Sequence, residues 1–405
     1  MLLKYISLGV ALTVFASIAG ADTDLSCIRI RIAMDVGSNS TKMRAGVVDV
    51  CHHVLLKQVT APGKKPKGNK IPISWRKNVK DGVIDSTFIQ ESVATLRNSL
   101  DKYSEEITND LNTNPDLAPY KPLATGVYEY VGGATATIRD SKNRPEFLAA
   151  ERAKGLNIRV LSQVEEGHLG YLGVYGLLGA QPEFNSDPNF NMSWDIGSTS
   201  MQIEGYFADK STTQKSWHDF GNELTSNSFT NKFLTALSKD PQKSPNPILS
   251  PTDNLEDLLL KAENIVSSDP EIKKIVKSRN NWIGERANTT GVTVRGIGGS
   301  HNGALAILKA SGLQNATGYS QEDLKTLLND LLRSGDDAIR NKYKADEDFI
   351  SSTATNILYI YTCMKVFNIN RVEVVDVDNA LGMLPTPTYW KTVDSRAEIV
   401  GPPNP

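Results

Sequence analysis

The chain is poor in the residues that most often mark a metal or nucleic-acid site. Three cysteines and five histidines are scattered through 405 residues, and none of their spacings suggests a zinc centre. Net charge is only −2, so nothing global points to nucleic acid. At the N-terminus, Lys4 precedes a mostly apolar run over residues 5–19 that ends in Ala19-Gly20-Ala21. The run is short for a membrane span of about 20 residues. With its small-residue end it reads as a signal peptide over residues 1–21, cleaved before Asp22. The expectation is a periplasmic or secreted protein with no membrane attachment after cleavage. The remainder, in a chain 40% hydrophobic and 22% charged, is ordinary globular composition with room for two domains.

What is present is a repeated turn. Residues 33–46 read as a strand ending at Asp35, a tight turn of Gly37, Ser38, Asn39 and Ser40, and a return strand. Such a turn offers a carboxylate to a hydrated cation, and backbone N–H groups and hydroxyls to phosphate oxygens. One copy is explained equally well by a plain hairpin. A second copy at 193–205, with Asp195, Gly197, Ser198, Thr199, Ser200 and Gln202, shifts the balance. Two such hairpins can face each other across a cleft. A third turn, Gly296-Ile-Gly298-Gly299-Ser300, follows a strand and precedes an expected helix over 302–313. It would present backbone amides to an anion.

Cys27 opens the first strand of the first hairpin and Cys51 closes the second, which places them opposite each other. In an exported chain a disulfide fits. Cys363 sits in an apolar helix expected over 354–366 and reads as core.

Residues 57–80 carry eight Lys or Arg and no acid, interrupted by Pro and Gly. That is a loop, either solvated surface or, if it borders the cleft, an attractor of polyanions. Periodicity gives a helix over 85–103, with Asp85 or Ser86 as cap. A strand at 128–131 leads to small residues including Thr135, then to Arg139, which either forks onto a phosphate or forms a surface ion pair. After a helix over 146–154 and a strand over 158–161, Glu165 and Glu166 stand at a strand-to-helix junction. One reads as a helix-start carboxylate and the other as a cleft residue, unless both are solvated. A glutamate near a phosphate-bound water is the general base that hydrolysis needs. His168 reads as helix surface. Further on come strands at 190–196 and 202–207, helices at 224–237, 255–266, 270–277, 321–333 and 347–366, and a strand at 372–377. Gly382 onward would start a helix that Pro385 ends.

In order and approximate spacing these segments resemble the exopolyphosphatase/guanosine pentaphosphatase (Ppx/GppA) family over nearly all of residues 30–385. The most specific pieces are Met34-Asp-Val-Gly-Ser-Asn-Ser40, Ala134-Thr-Ala-Thr-Ile-Arg-Asp-Ser-Lys-Asn143 and Leu161-Ser-Gln-Val-Glu-Glu-Gly-His-Leu-Gly-Tyr-Leu-Gly-Val174. The resemblance implies an α/β, two-domain fold of the actin, sugar kinase and heat-shock chaperone ATPase type, with duplicated RNase H-like domains and a central cleft. The implied domains are 28–168 and 169–386, with a tail over 387–405. It also implies Glu166 as the water-activating glutamate, Asp35 and Asp195 as metal-organising, and Arg139 as phosphate-contacting. The phosphate-loop positions it implies are Gly37, Ser38, Asn39, Ser40, Gly197, Ser198 and Ser200; Thr135, Thr199, Gln202 and the third turn's Gly298, Gly299 and Ser300 are further phosphate-binding candidates.

The second turn departs from the family's Asp-x-Gly-Gly-Gly-Ser-x-Glu, with Ser198 and Thr199 for two glycines and Gln202 for the glutamate. Gln202 and export are similar to nucleoside triphosphate diphosphohydrolases (apyrases). The implied activity is metal-assisted hydrolysis, with Mg²⁺, Ca²⁺ or Mn²⁺, of a terminal phosphate of polyphosphate or a nucleotide. An apyrase and a non-catalytic polyphosphate- or nucleotide-binding relative are the alternatives. Neither nucleic acid nor a membrane is expected as partner, and homodimerisation stays open.

Overall fold

In the computed structural model the described residues are 25–60, 69–179, 191–208, 214–216, 225–241, 243–277, 281–345 and 347–390. The expected signal peptide, residues 61–68 of the basic segment and most of the expected tail lie outside them. Among the described residues no helix is long and apolar enough to cross a membrane.

The first half opens with β1 (Ile28–Val36), β2 (Thr41–Asp49), β3 (Val54–Gln58) and β4 (Asn69–Ile71), then a small ribbon of β5 (Val79–Lys80) and β6 (Val83–Ile84). Helix α1 (Ser86–Thr113) is ten residues longer than its expected C-terminus at 103, because Ile107 and Leu111 continue the buried stripe of Ile89, Val93, Leu96 and Leu100. Asp85 is its cap, accepting the Phe88 N–H at 2.7 Å. Pro115 begins the next turn and ends the run. Then come β7 (Glu129–Ala134), α2 (Ala136–Arg139), α3 (Arg144–Ala153), β8 (Ile158–Val160) and α4 (Gln163–Gly179).

The second half repeats the plan with β9 (Asn191–Ile196), β10 (Met201–Ala208), β11 (Gln214–Ser216), α5 (Ser226–Ala236), α6 (Leu255–Ser268), α7 (Pro270–Lys277) and α8 (Trp282–Ala287). It continues with β12 (Thr293–Ile297), α9 (Gly298–Ala310), β13 (Gly318–Ser320), α10 (Gln321–Leu331), α11 (Asp336–Asn341), α12 (Ile350–Phe367), β14 (Arg371–Val374) and α13 (Asn379–Met383). The first sheet runs β3-β2-β1-β7-β8 and the second β11-β10-β9-β12-β14-β13. In each, an antiparallel hairpin is followed by parallel strands. The duplication read from two turns is thus a duplication of sheet order.

Each sheet has its own core, one built around Ile32, Trp75, Leu96 and Phe147, the other around Trp194, Phe229, Leu328 and Tyr359. Cys363 is buried in α12, as expected of a core residue. A third apolar cluster, including Val131, Leu169, Ile297, Val377 and Leu381, contains residues of both halves. There α4 and α13 cross so closely that a Cβ on Gly382 would lie 2.0 Å from the Leu169 carbonyl oxygen. The expected division between 168 and 169 falls inside α4. The C-terminal segment returns to the first sheet, tied by Arg44, which bonds Asp376 and Asp378 at 2.9 Å each.

Two helix starts differ from the sequence reading. Helix α9 begins within the glycine turn, at Gly298, and α13 begins behind the Asp378 cap rather than at Gly382. The disulfide between Cys27 and Cys51 is formed across the first hairpin, with Cα atoms 5.5 Å apart.

Candidate active site

The two Asp-x-Gly-Ser turns are built alike because the same local chemistry closes them. Gly37 N–H donates to Ser40 C=O at 3.1 Å, and Gly197 N–H to Ser200 C=O at 2.9 Å. In the strand register Asp35 stands opposite Lys42, and Asp195 opposite Gln202. The turns meet tip to tip: Ser38 Oγ lies 2.7 Å from Thr199 Oγ1, and Asn39 Nδ2 donates to Ser198 Oγ at 3.0 Å. The expected facing hairpins are therefore in contact.

The third turn joins them from the second sheet. Gly298 has φ +83° and a Cβ there would lie 2.1 Å from Asp195 Oδ1, so only glycine lets the chain pass the carboxylate. Gly299 is exposed and Ser300 half-buried in the first turn of α9, whose N-cap residue Ile297 supplies no side-chain bond.

Thr135 directs its N–H (3.1 Å) and its hydroxyl (3.4 Å) to the Val36 carbonyl, holding β7 against the first turn. The glycines before it accommodate neighbours rather than open a surface: Cβ atoms at Gly132 and Gly133 would lie 2.8 and 2.5 Å from Ile158 and Leu161.

Of the two adjacent glutamates, Glu165 is the helix-start carboxylate, paired with Ser162 in a capping box at the start of α4. It accepts from Ser162 N–H at 2.8 Å while its own N–H donates to Ser162 Oγ at 3.2 Å. Glu166 turns inward and is buried. Its Oε2 accepts from Arg139 Nη1 at 2.9 Å and its Oε1 from Ser200 Oγ at 3.2 Å. Arg139 therefore forms a buried pair, not a surface one. Its Nη1 also reaches the Leu161 carbonyl at 3.0 Å, while the buried Nε and Nη2 have no hydrogen-bond partner among the described residues. Nε stands 3.6 Å from Asp140 Oδ1, beyond hydrogen-bond distance.

Charge is concentrated here in a poorly hydrated place. Burial, the Asp378 charge and the charges of Glu166 and Asp195 hold the Asp35 carboxyl up at about 8, against the pull of Lys42. Burial and the Glu166 and Asp378 charges raise Asp195 to about 7, again opposed by Lys42. Burial also raises Glu166, offset by Arg139 and Ser200. Burial works against the Lys42 ammonium, but Asp378, Asp35 and Asp195 outweigh it and raise its pKa.

These raised carboxyls, together with Asp35 Oδ1, which has no partner among the described residues, form a donor set that a hard divalent cation fits. Among the described residues no three carboxylate, imidazole or thiol ligands of the cleft lie within 4.8 Å of one another. Two aspartates would leave the remaining positions to water and phosphate oxygens, as Mg²⁺ prefers.

Residues 74 and 76 of the basic segment border the first turn. Arg76 N–H donates to Ser38 C=O at 3.1 Å, and Ser74 Oγ to Asn39 Oδ1 at 3.4 Å. Lys57, by contrast, reaches the Asp116 carbonyl at 3.0 Å.

Lys42, Arg44 and Asp378 were not singled out as site residues by the sequence. The hairpin register alone would have found Lys42, facing Asp35 across the turn. His168 is half-exposed but not a plain surface residue, since its Nδ1 lies 2.9 Å from Oε1 of the fully buried Glu204. Gln202 is buried, with neither amide atom partnered among the described residues.

No protein-family model and no curated protein matches the chain. Solved structures do match. A Ppx/GppA enzyme of Aquifex aeolicus is 18% identical, covering 88% of this chain and 99% of that one, with a TM-score of 0.56. An exopolyphosphatase from Cytophaga hutchinsonii is 14% identical over 88% and 96% of the two chains, with a TM-score of 0.54. A nucleoside triphosphate hydrolase from Neospora caninum is 11% identical over 91% and 95%, with a TM-score of 0.51. The chain thus has the α/β fold of these proteins along most of its length.

Proposed function

We propose that the chain is an exported, metal-assisted phosphohydrolase that releases a terminal phosphate from polyphosphate or another phosphoanhydride. The observation that carries this reading is the buried Glu166–Arg139 pair, with two guanidinium donors left over, set behind two facing Asp-x-Gly-Ser turns. A carboxylate that holds and deprotonates water, a fork of donors for an anion and a lining of hydroxyls and amides are the parts that phosphoryl transfer to water needs.

The chain's own residues divide the work. The amides and hydroxyls of Ser38, Asn39, Ser198 and Thr199 bind phosphate oxygens. Arg139 Nε and Nη2 take charge on the departing phosphoryl group. Glu166, whose pKa burial raises, accepts the proton of the attacking water. Asp35 and Asp195 would hold a divalent cation, which supplies charge neutralisation to the phosphate oxygens when bound. Closure of the two halves excludes bulk water. The disulfide between Cys27 and Cys51 supports an oxidising, extracytoplasmic location. Arg76 beside the Ser38 turn favours an extended polyanion.

Gln202 favours a second reading, an apyrase acting on nucleoside triphosphates and diphosphates, because its amide replaces the family's glutamate in a buried position. The two readings are separated by measuring phosphate release by the mature chain from long polyphosphate, guanosine tetraphosphate, ATP and ADP, with Mg²⁺ and with Ca²⁺. Turnover confined to polyphosphate or guanosine tetraphosphate supports the first; turnover of ATP and ADP supports the second. No release from any of them, with binding intact, contradicts both.

A further inference from the structure

Strand alternation puts three polar side chains in a row on one face: Ser200, just ahead of β10, then Gln202 and Glu204 within it. All three are buried, Glu204 to 0% exposure, whereas Met201 and Ile203 on the opposite face are ordinary core. The row meets the start of α4 residue by residue. Ser200 Oγ donates to Glu166 Oε1 at 3.2 Å. A Cβ on Gly167 would lie 3.2 Å from Gln202 Cβ and 3.6 Å from Glu204 Oε2. His168 Nδ1 stands 2.9 Å from Glu204 Oε1. His168, with its side chain 40% exposed, is the member of the set that reaches solvent. Glu204 Oε2 and both Gln202 amide atoms have no partner among the described residues.

We propose that Glu204 is a positioning residue for the water-activating Glu166, acting through its bond to His168; this rests on the hydrolase reading. A buried carboxylate needs a partner, and the donor here is a helix residue two places after Glu166. Within one turn a helix moves as a unit, so the bond that pins His168 to β10 also fixes where the Glu166 carboxylate stands. Gly167 permits the close approach, because a side chain there would push the helix off the strand. A general base misplaced by about 1 Å loses on the order of a hundredfold in rate. Arg139 gives Glu166 a second anchor, so the loss on removing Glu204 is partial. Core packing alone would be served as well by leucine at 204, and the unpartnered polar atoms mark this row as more than packing.

The test compares the mature wild-type chain with Glu204→Leu, His168→Leu, the double variant, Glu204→Gln and Glu166→Gln. Steady-state phosphate release and melting temperature are measured for each. Expected are a kcat for Glu204→Leu and for His168→Leu about 10- to 100-fold down, with KM within about twofold. The double variant should be no worse than either single one, since both remove one bond. Glu204→Gln keeps an acceptor for His168 and should recover most of kcat. The melting temperature of Glu204→Leu should change little, because the partner left behind, His168, is half-exposed and can bond to water instead. Should Glu204→Leu fail to fold, His168→Leu at its half-exposed position carries the test. Wild-type kcat in both single variants, losses that multiply, or losses that track melting temperature would overturn the proposal. If Glu166→Gln is inactive while those single variants are unaffected, only this inference falls. A wild-type chain that releases no phosphate removes the hydrolase reading and this inference with it.

Discussion

Arg139 Nη1 lies 2.9 Å from Glu166 Oε2, and the same guanidinium keeps Nε and Nη2 without hydrogen-bond partners among the described residues. One side chain thus steadies the candidate base with one nitrogen, and the proposed function assigns the other two to an anion. Lysine has the charge but not the fork. Arg139→Lys should therefore lower kcat/KM about 10- to 100-fold, in line with losing directed donors at an oxyanion. Steady-state kinetics check this, and an Arg139→Lys protein with wild-type kcat/KM would show that the free nitrogens do not face the reacting phosphate.

Gly298 is constrained twice, by a φ of +83° and by Asp195 Oδ1 at 2.1 Å from any added Cβ. Gly298→Ala should cost about 1–2 kcal/mol from the left-handed backbone alone, and more as Asp195 is displaced. Thermal unfolding should show the loss of stability, and titration with Mg²⁺ by calorimetry should show weaker binding. Unchanged metal affinity would mean that Asp195 holds no cation.

His301 is buried against the edge of Trp194, ring centroids 4.8 Å apart, and hydrogen-bonds Tyr319. Burial lowers its pKa from 6.5 to about 3. The unfolded chain therefore takes up a proton below 6.5 that the folded chain refuses until about 3, so acidification through that window favours unfolding. Its contribution is flat above 6.5 and falls by up to about 1.4 kcal/mol per pH unit below it. Asp35 and Asp195, raised to about 8 and 7, act in the opposite sense, since folded chains hold their protons longer as pH rises. Urea unfolding of wild type and His301→Phe isolates the histidine. The wild-type advantage should shrink on going from pH 7 to pH 4, and a constant difference would contradict a neutral buried imidazole.

The disulfide closes a loop with a sequence separation of 24 between Cys27 and Cys51. Cross-links of that size stabilise by about 3 kcal/mol. Cys51→Ser, or reduction of the wild type, should lower the melting temperature by several degrees, with no such effect from Cys363→Ala beyond its core cavity. Equal melting temperatures in the oxidised and reduced forms would contradict this.

Legibility in the sequence followed how local each signal was. The two Asp-x-Gly-Ser hairpins rest on neighbours within a few residues, and the structure has both; the local stretch left the roles of Glu165 and Glu166 open, because Arg139 and Ser200, which hold Glu166, are 27 and 34 residues away. The C-terminal end of α1 was missed although Ile107 and Leu111 keep the helical period, and the α13 start was missed although Asp378 is a good cap. By contrast, Arg44 finds Asp378 across 334 residues and His168 finds Glu204 across 36. Nothing in either stretch announces its partner. The missing side chains of Gly132 and Gly133 make room for Ile158 and Leu161, which only the parallel pairing of β7 with β8 reveals.

Glu166 as the residue that activates water is tested most directly by phosphate release from the wild type and from Glu166→Gln, side by side, on polyphosphate, guanosine tetraphosphate and ATP with Mg²⁺. Binding of the same ligands is followed by calorimetry. Loss of a general base costs about 10²- to 10⁴-fold. The expected result is release by the wild type, a drop of that size in Glu166→Gln and unchanged ligand affinity. A Glu166→Gln protein that hydrolyses as fast as the wild type would contradict the assignment.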